Sequence, residues 1–372
     1  MTASPDGALE LVVRGLRGDP EFLAAWFAAA PDQGMAAQAR LTLEPERWLR
    51  LLLCRAPRVD RFADDVSAVA NTLDLVPTAL AAAIRETTAL TALAVWARAA
   101  GGEEDAGAWE GLLAAAHDRT TEQLGTESVA AGWLRHRADR FWSVTPHDTR
   151  QQLDLDTAII WGAPLTVIAL PELSPARARA WLSQRGVRIA TSGPDRNLRG
   201  LLLAARGSGV VLLDAELPPA ARRFTLAHEL GHFLLDYLDQ RQRVVDEIPD
   251  LLDAVDGTRP PTAQERTRAI LARVPIGLHT HLLDRDLQGE ATEDVEQAED
   301  AASHFALELL APWDLTLQAA EPLADRRRPF DEVLAVVTER LTDRFLLPTR
   351  EAETRARDAL DALGVSRGFF GR

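Results

Sequence analysis

The residues best suited to chemistry lie in one short run, Arg222-Arg223-Phe224-Thr225-Leu226-Ala227-His228-Glu229-Leu230-Gly231-His232-Phe233-Leu234-Leu235. Its apolar, unbroken character predicts a helix, on which residues four apart are offset by about 40° and about 6 Å. His228 and His232 then offer two imidazole nitrogens to one metal ion, and His-Glu-x-x-His is the spacing with which a helix binds zinc (Zn2+). Glu229 is turned about 100° from His228, too far aside to be a ligand and placed to take a proton from a water at the ion. The expected roles are metal ligands for His228 and His232 and general base for Glu229. Phe224, Gly231 and Leu235 share the histidine face, an apolar setting in which two imidazoles need a partner. The alternative is a pair of core histidines satisfied by hydrogen bonds alone.

The elements before this helix change period from helix to strand. Residues 165–170 read as a strand, 175–184 as a helix and 187–191 as a second strand. Two further strands, 198–205 and 210–213, are joined through Arg206-Gly207-Ser208-Gly209 as a hairpin, and Pro218-Pro219 opens the metal helix. A small sheet thus leads directly into His-Glu-x-x-His, with an edge strand beside the helix where an extended peptide could pair its backbone.

Leu198-Arg199-Gly200-Leu201-Leu202, Val210-Val211-Leu212-Leu213-Asp214, Leu217-Pro218 and the metal helix together resemble the ImmA/IrrE family of metallopeptidases. The likeness resumes at Glu299-Asp300-Ala301-Ala302-Ser303-His304-Phe305-Ala306-Leu307-Glu308-Leu309-Leu310-Ala311-Pro312, similar to the family's Glu-x-x-Ala-x-x-Phe-Ala-x-x-Leu-Leu-x-Pro signature, with Ala311 where methionine is common. The resemblance spans about 165–312. It implies an α+β, zincin-like metallopeptidase domain, a small mixed sheet packed on the His-Glu-x-x-His helix, with Glu299 as third zinc ligand. The pattern supports that carry-over: Val295, Glu299, Ala302 and Ala306 fall at i, i+4, i+7 and i+11, so Glu299 lies in an apolar stripe where a carboxylate needs a partner. An arginine at the stripe's edge would serve equally, and Glu296 is the second choice of ligand.

Glu299 follows His232 by 67 residues (299 − 232), a long interval for the family. The resulting insertion, 238–294, is charged at first, is broken by Pro260-Pro261 and then holds a helix over 262–273, with Thr262 and Glu265 spaced as a capping box. It could fold over the cleft as a lid or stand as a surface lobe. His279 and His281 alternate as in a loop, and His304 is near enough to Glu299 to suggest a supporting donor at the site.

The flanking regions read as helical. Residues 1–100 form an all-α domain, 101–150 an acidic linker (Gly101-Gly102-Glu103-Glu104-Asp105-Ala106-Gly107) and helical connector, 151–312 the metallopeptidase domain and 313–372 a C-terminal helical region. Residues 65–85 resemble a helix-turn-helix, with Asp74 where the turn glycine is usual and a second helix, 78–84, that has almost no polar side chain to read bases. Protein binding is the expected role there; Arg55, Arg58, Arg61 and Arg85 are the groups that could instead face DNA. Lys+Arg 41 against Asp+Glu 56, all the cations being arginine, gives a net charge of −15, which repels polyanions. A lone Cys54, the start Met1-Thr2-Ala3-Ser4-Pro5 without a secretion signal and the short apolar runs lead to the expectation of a cytoplasmic protein with no membrane partner.

Together these readings give a zinc endopeptidase whose resemblance implies a regulatory protein as substrate, a helix-turn-helix repressor. A non-proteolytic regulator, with the zinc fold as a binding platform and the N-terminal helices as sensor or DNA-binding module, is the competing class. The sequence leaves the oligomeric state open.

Overall fold

The computed structural model describes residues 5–29, 31–99, 127–146, 154–188, 195–272, 276, 278–284 and 293–365. The acidic stretch 101–107 lies outside them. The architecture is α+β, mostly helical around one small mixed sheet. Its strands are β1 (Leu165–Leu170), β2 (Leu198–Ala205), β3 (Ser208–Asp214) and β4 (His279–Asp284), in the order β1-β3-β2-β4. β1 runs parallel to β3, and β2 is antiparallel to both β3 and β4. A two-residue turn joins β2 to β3: Arg206 and Gly207 have φ of 53° and 79°, the left-handed pair that matches strand twist in a tight hairpin.

Alternation along β2 and β3 feeds two cores. Leu202, Ala204, Val211 and Leu213 pack with Leu226, Ala227 and Leu230 of the metal helix, Pro219–His232, and with Phe233 just after it. Leu201, Leu203, Val210 and Leu212 face the other way, onto Ala89, Leu90, Leu93 and Trp96. These last belong to the helix Pro77–Ala99, whose start is the second helix of the helix-turn-helix-like segment. Its first half, with Leu80, Ala81, Ala83 and Ile84 buried, packs into the N-terminal helices, and its second half covers the sheet. Among the described residues it is the one helix long and apolar enough to cross a membrane, and burial against protein on several sides accounts for that composition. Leu73 to Val76 form the turn before it, with Asp74 at φ 51° in the conformation glycine usually supplies. Three of the arginines near this turn have partners within the chain, Arg58 and Arg61 in surface ion pairs and Arg85 in a packed setting. Arg58 pairs with Asp65 at 2.8 Å, Arg61 with Asp64 at 3.4 Å, and Arg85 donates to the Ile160 carbonyl while lying over the Phe62 ring.

Three expectations need correction. Val187 and Arg188 are not a strand, and 189–191 lie outside the described residues. Val187 instead closes the preceding helix, its N–H bonded to the Leu182 carbonyl at 3.0 Å after Gly186 at φ 74°, so its side chain caps a helix end. His279 and His281 are not in a loop: they sit in β4, paired with Ala204 and Leu202. The alternation was a strand period whose partner lies some 80 positions back. Consequently β2 is not an edge strand, because the insertion supplies β4 along its outer side. Elsewhere the insertion follows expectation: the helix Ala263–Ala272 opens on the capping box, with Glu265 N–H donating to Thr262 Oγ1 at 3.2 Å and Thr262 N–H to Glu265 Oε2 at 2.8 Å.

The helix Glu293–Leu310 lies against the metal helix, and the C-terminal helices Phe330–Phe345 and Thr349–Ala362 hold its end. Its Glu308 and Arg355 of the last helix form a fully buried ion pair at 2.8 Å. Arg355 also donates to the Ala311 carbonyl at 2.8 Å, and Glu308 accepts the Trp313 N–H at 3.2 Å, so the Ala311-Pro312 corner is tied from both sides. Removing Arg355 leaves the buried Glu308 carboxylate to the longer contact with Arg135 Nε at 3.5 Å and takes away the donor to the Ala311 carbonyl. Arg355→Ala is expected to lower the unfolding free energy by about 3–5 kcal/mol, read as an earlier urea midpoint; a midpoint equal to wild type would show that the pair holds nothing.

Candidate metal centre

The metal helix starts at Pro219, where the fixed φ of proline suits the first turn, and its first turn is tied down by Arg222, which pairs with Asp156 at 2.6 Å. Residues 223 and 225–232 are buried, so both histidines and Glu229 face protein on every side but one. Glu293–Leu310 packs across this helix, and Gly231 sets how closely. A Cβ there would lie 3.1 Å from Ala302 Cα and 3.2 Å from its carbonyl oxygen, so only glycine lets the two backbones approach this far.

That approach delivers Glu299. Its Oε2 is 3.1 Å from His228 Nε2 and its Oε1 3.8 Å from His232 Nε2, while the two Nε2 atoms are 3.1 Å apart. For comparison, the edge of a tetrahedron with zinc-like bonds is about 3.3 Å. The three groups offer one ligand atom each within 4.8 Å of one another. His228 and His232 are almost wholly buried, and the Glu299 side chain keeps 31% of its surface, which leaves one open direction toward the donors. The structure therefore brings together the three residues expected to be ligands. Of Glu296, the second choice, the backbone is described and the side chain is not.

The far side of each imidazole identifies which nitrogen is available. Asp236 Oδ2 lies 2.6 Å from His232 Nδ1, and Ser303 Oγ lies 3.3 Å from His228 Nδ1. With Nδ1–H donating to these oxygens, each ring presents an Nε2 lone pair to the common point, and the carboxylate makes His232 the more basic donor. With both Nε2 atoms and a carboxylate oxygen directed at one point, the residues fit a divalent metal.

Neither Asp236 nor Ser303 emerged from the sequence. Asp236 follows His232 by four positions, a spacing that was visible. It lies in a π-turn, Phe233–Leu238, that begins just after the second histidine. Ser303 stands four residues after Glu299 on the same helix. His304, the residue the sequence suggested for a supporting role, is exposed and faces Asp358 of the last helix instead; one step of 100° separates it from Ser303. His279 is buried with its ring 5.8 Å from that of Tyr237 and is not among the grouped donors.

Glu229 has no exposed surface and sits beneath β2. A Cβ on Gly200 would come within 2.6 Å of Glu229 Oε1 and 3.0 Å of Thr225 Cγ2, so a larger residue there would displace the Glu229 carboxylate.

Comparison with known proteins agrees with this geometry. Residues 182–271 match the Peptidase M78 family, the IrrE N-terminal-like domain. The match takes in the hairpin, the metal helix and the first half of the insertion. It includes His228, Glu229 and His232 and ends before Glu299, whose place beside the histidines rests on the packing described above. No curated protein and no solved structure matches the chain. An M78 domain with this donor set supports a metallopeptidase-type enzyme.

Two measurements follow. Metal analysis of the purified chain is expected to give about one zinc, lost in both His228→Ala and Glu299→Ala; full retention by either variant would remove that residue from the ligand set. Asp236→Asn should weaken zinc binding roughly 10–100-fold, since an amide no longer fixes and charges the His232 ring. Equal affinities in a competitive chelator titration would show that Asp236 plays no part.

Proposed function

We propose that this chain is a zinc-dependent endopeptidase. The observation that carries the reading is the convergence of His228 Nε2, His232 Nε2 and a Glu299 oxygen on one point, with Glu229 adjacent on the same helix and one side open. His228, His232 and Glu299 would hold the ion. Bound zinc supplies a Lewis acid that polarises a carbonyl and brings the pKa of water down toward about 7.

The chain's own residues supply the rest. Glu229 accepts the proton of the attacking water and returns it to the leaving amine, the work of a general base and then a general acid. Its burial beneath Gly200 excludes bulk solvent and holds the carboxylate in one position. Ser303 and Asp236 engage the Nδ1 atoms of His228 and His232 and so orient both rings with Nε2 toward the ion. Gly231 keeps Glu299 at ligand distance.

The substrate is proposed to be a regulatory protein of the helix-turn-helix repressor class, in the cytoplasm. This part of the reading rests on the resemblance to the ImmA/IrrE peptidases. Binding of protein by the N-terminal helices, in preference to DNA, is supported by the burial of Leu80, Ala81, Ala83 and Ile84 and by the commitment of Arg58, Arg61 and Arg85 to partners within the chain.

The deciding variant is Glu229→Gln, which keeps size and hydrogen bonding and loses the proton acceptor. It is expected to retain zinc and fold while cleavage falls by about 10²–10⁴-fold. The assay is co-expression with candidate helix-turn-helix proteins, followed by mass spectrometry of the products. Cleavage by the variant at the wild-type rate would take Glu229 out of the mechanism. A loaded wild type that binds such a partner and leaves it intact would favour the non-proteolytic regulator.

A further inference from the structure

β4 pairs along β2 from Leu198 to Ala204 and so occupies the side from which an extended peptide would have reached the metal helix. Beyond the first residues of β2 the surface opens into a cleft of about 680 Å³. Its floor is apolar, made by Leu217 and Pro218 before the metal helix, Phe224 within it and Pro348 before the last helix. The cleft shares the helix Pro219–His232 with the candidate metal centre. Thr225 lines it and stands with Glu229 beneath Gly200, and the Phe224 ring centroid is 6.4 Å from that of His228.

Into this cleft β2 sends one charged side chain by an irregularity of its own. Between Leu198 and Gly200 the pairing advances two residues on β2 against one on β4, from Asp284 to Leu283, so Arg199 is a bulged residue. Bulges re-aim side chains and occur beside active sites. Leu198 stays in the core under the helix Pro77–Ala99, Gly200 faces Glu229, and the extra residue between them lines the cleft with Thr225 and Phe224. Arg199 is exposed and makes no ion pair among the described residues, unlike Arg222 two turns of chain away, which is held by Asp156. A strand fixes its backbone, and its head is left for something else.

We infer that Arg199 is the specificity-determining residue of the peptidase site: it takes an aspartate or glutamate side chain of the polypeptide substrate next to the scissile bond, with an adjacent apolar residue on the floor of the cleft. The inference rests on the peptidase reading and adds to it the class of sequence that is cut. A guanidinium presents paired donors that match a carboxylate in one plane, which discriminates against amides and cations as well as attracting charge. Arg350 also lines the cleft, from the last helix, and Glu216 and Glu351 accompany it, so the cleft is not uniformly cationic. Selection therefore comes from the one guanidinium that the bulge sets beside Gly200, and not from bulk potential.

The test is digestion of a proteome-derived peptide mixture by the full-length, zinc-loaded chain, with cleavage sites read by mass spectrometry. Wild type is expected to cut with Asp or Glu enriched at one fixed position adjacent to the broken bond. Arg199→Glu should move that preference to Lys or Arg, with a roughly 10–100-fold loss on the original sites. Arg199→Lys should keep the acidic preference in weakened form. Zinc content is measured for each variant, so that a folding defect is not read as altered specificity. In parallel, an acidic peptide found in the digest is titrated against Glu229→Gln alone and combined with Arg199→Glu, which reads binding without turnover. Cleavage by wild type without acidic preference, or an acidic preference that survives Arg199→Glu, would overturn the inference and leave the peptidase reading standing. A loaded wild type that cuts no peptide and no folded repressor would remove the reading on which the inference depends, and the inference with it.

Discussion

The contact on which the rest of the structure depends is the one between Gly231 and Ala302. Three ligand atoms come from two helices, so the distance between the helices is also the distance between the donors. At Gly231 the backbones are already as near as a missing side chain allows. A methyl group there would push the helices apart by a few tenths of an ångström, the same size as the roughly 0.2 Å within which metal–ligand distances hold. Much of the remaining packing keeps the second helix from drifting. Trp142 donates its indole N–H to the Leu309 carbonyl at 3.1 Å, and the Glu308–Arg355 pair fixes the corner that follows. The helices on either side of the peptidase core thus serve the centre through this one helix, although none of them contributes a ligand.

What could be read from the sequence follows the range of the interactions involved. His228, Glu229 and His232 belong to one helix, so their relation is set by helical geometry and survives without knowledge of the fold. Glu299 is distant, and the family resemblance is what points to it; the carboxylate in an apolar stripe agrees but fits an arginine partner as well. The hairpin was legible because a two-residue turn constrains both its strands. Asp236 was missed although its spacing is ordinary, since an aspartate one turn beyond the second histidine reads as the polar side of an amphipathic helix. His279 and His281 were misread for a different reason. Nothing near β4 in the sequence indicates β2 as its partner, and alternation without a visible partner looks like a loop.

The N-terminal region shows how the same local pattern can serve a different end. Helix, short turn and second helix are all present between Phe62 and Ala99, with Asp74 accepting the strained conformation in the turn. The second helix, though, is apolar on all sides because it lies between the N-terminal helices and the sheet. A helix that must satisfy two cores has no face left over for bases. Its Trp96 packs against the strands that carry the hairpin, so the N-terminal helices and the metal helix are layered on opposite faces of one sheet.

The long separation between His232 and Glu299 also has a consequence for the chain as it is made. At ordinary rates of synthesis, about 5–20 residues per second, the two histidines leave the ribosome several seconds before their carboxylate partner. The corner that steadies Glu299's helix waits longer still, for Arg355 near the end of the chain. A nascent chain therefore carries only two of the three grouped donors until residue 299 has emerged. The candidate centre waits on that later helix, and a product interrupted between the two motifs is left without its carboxylate.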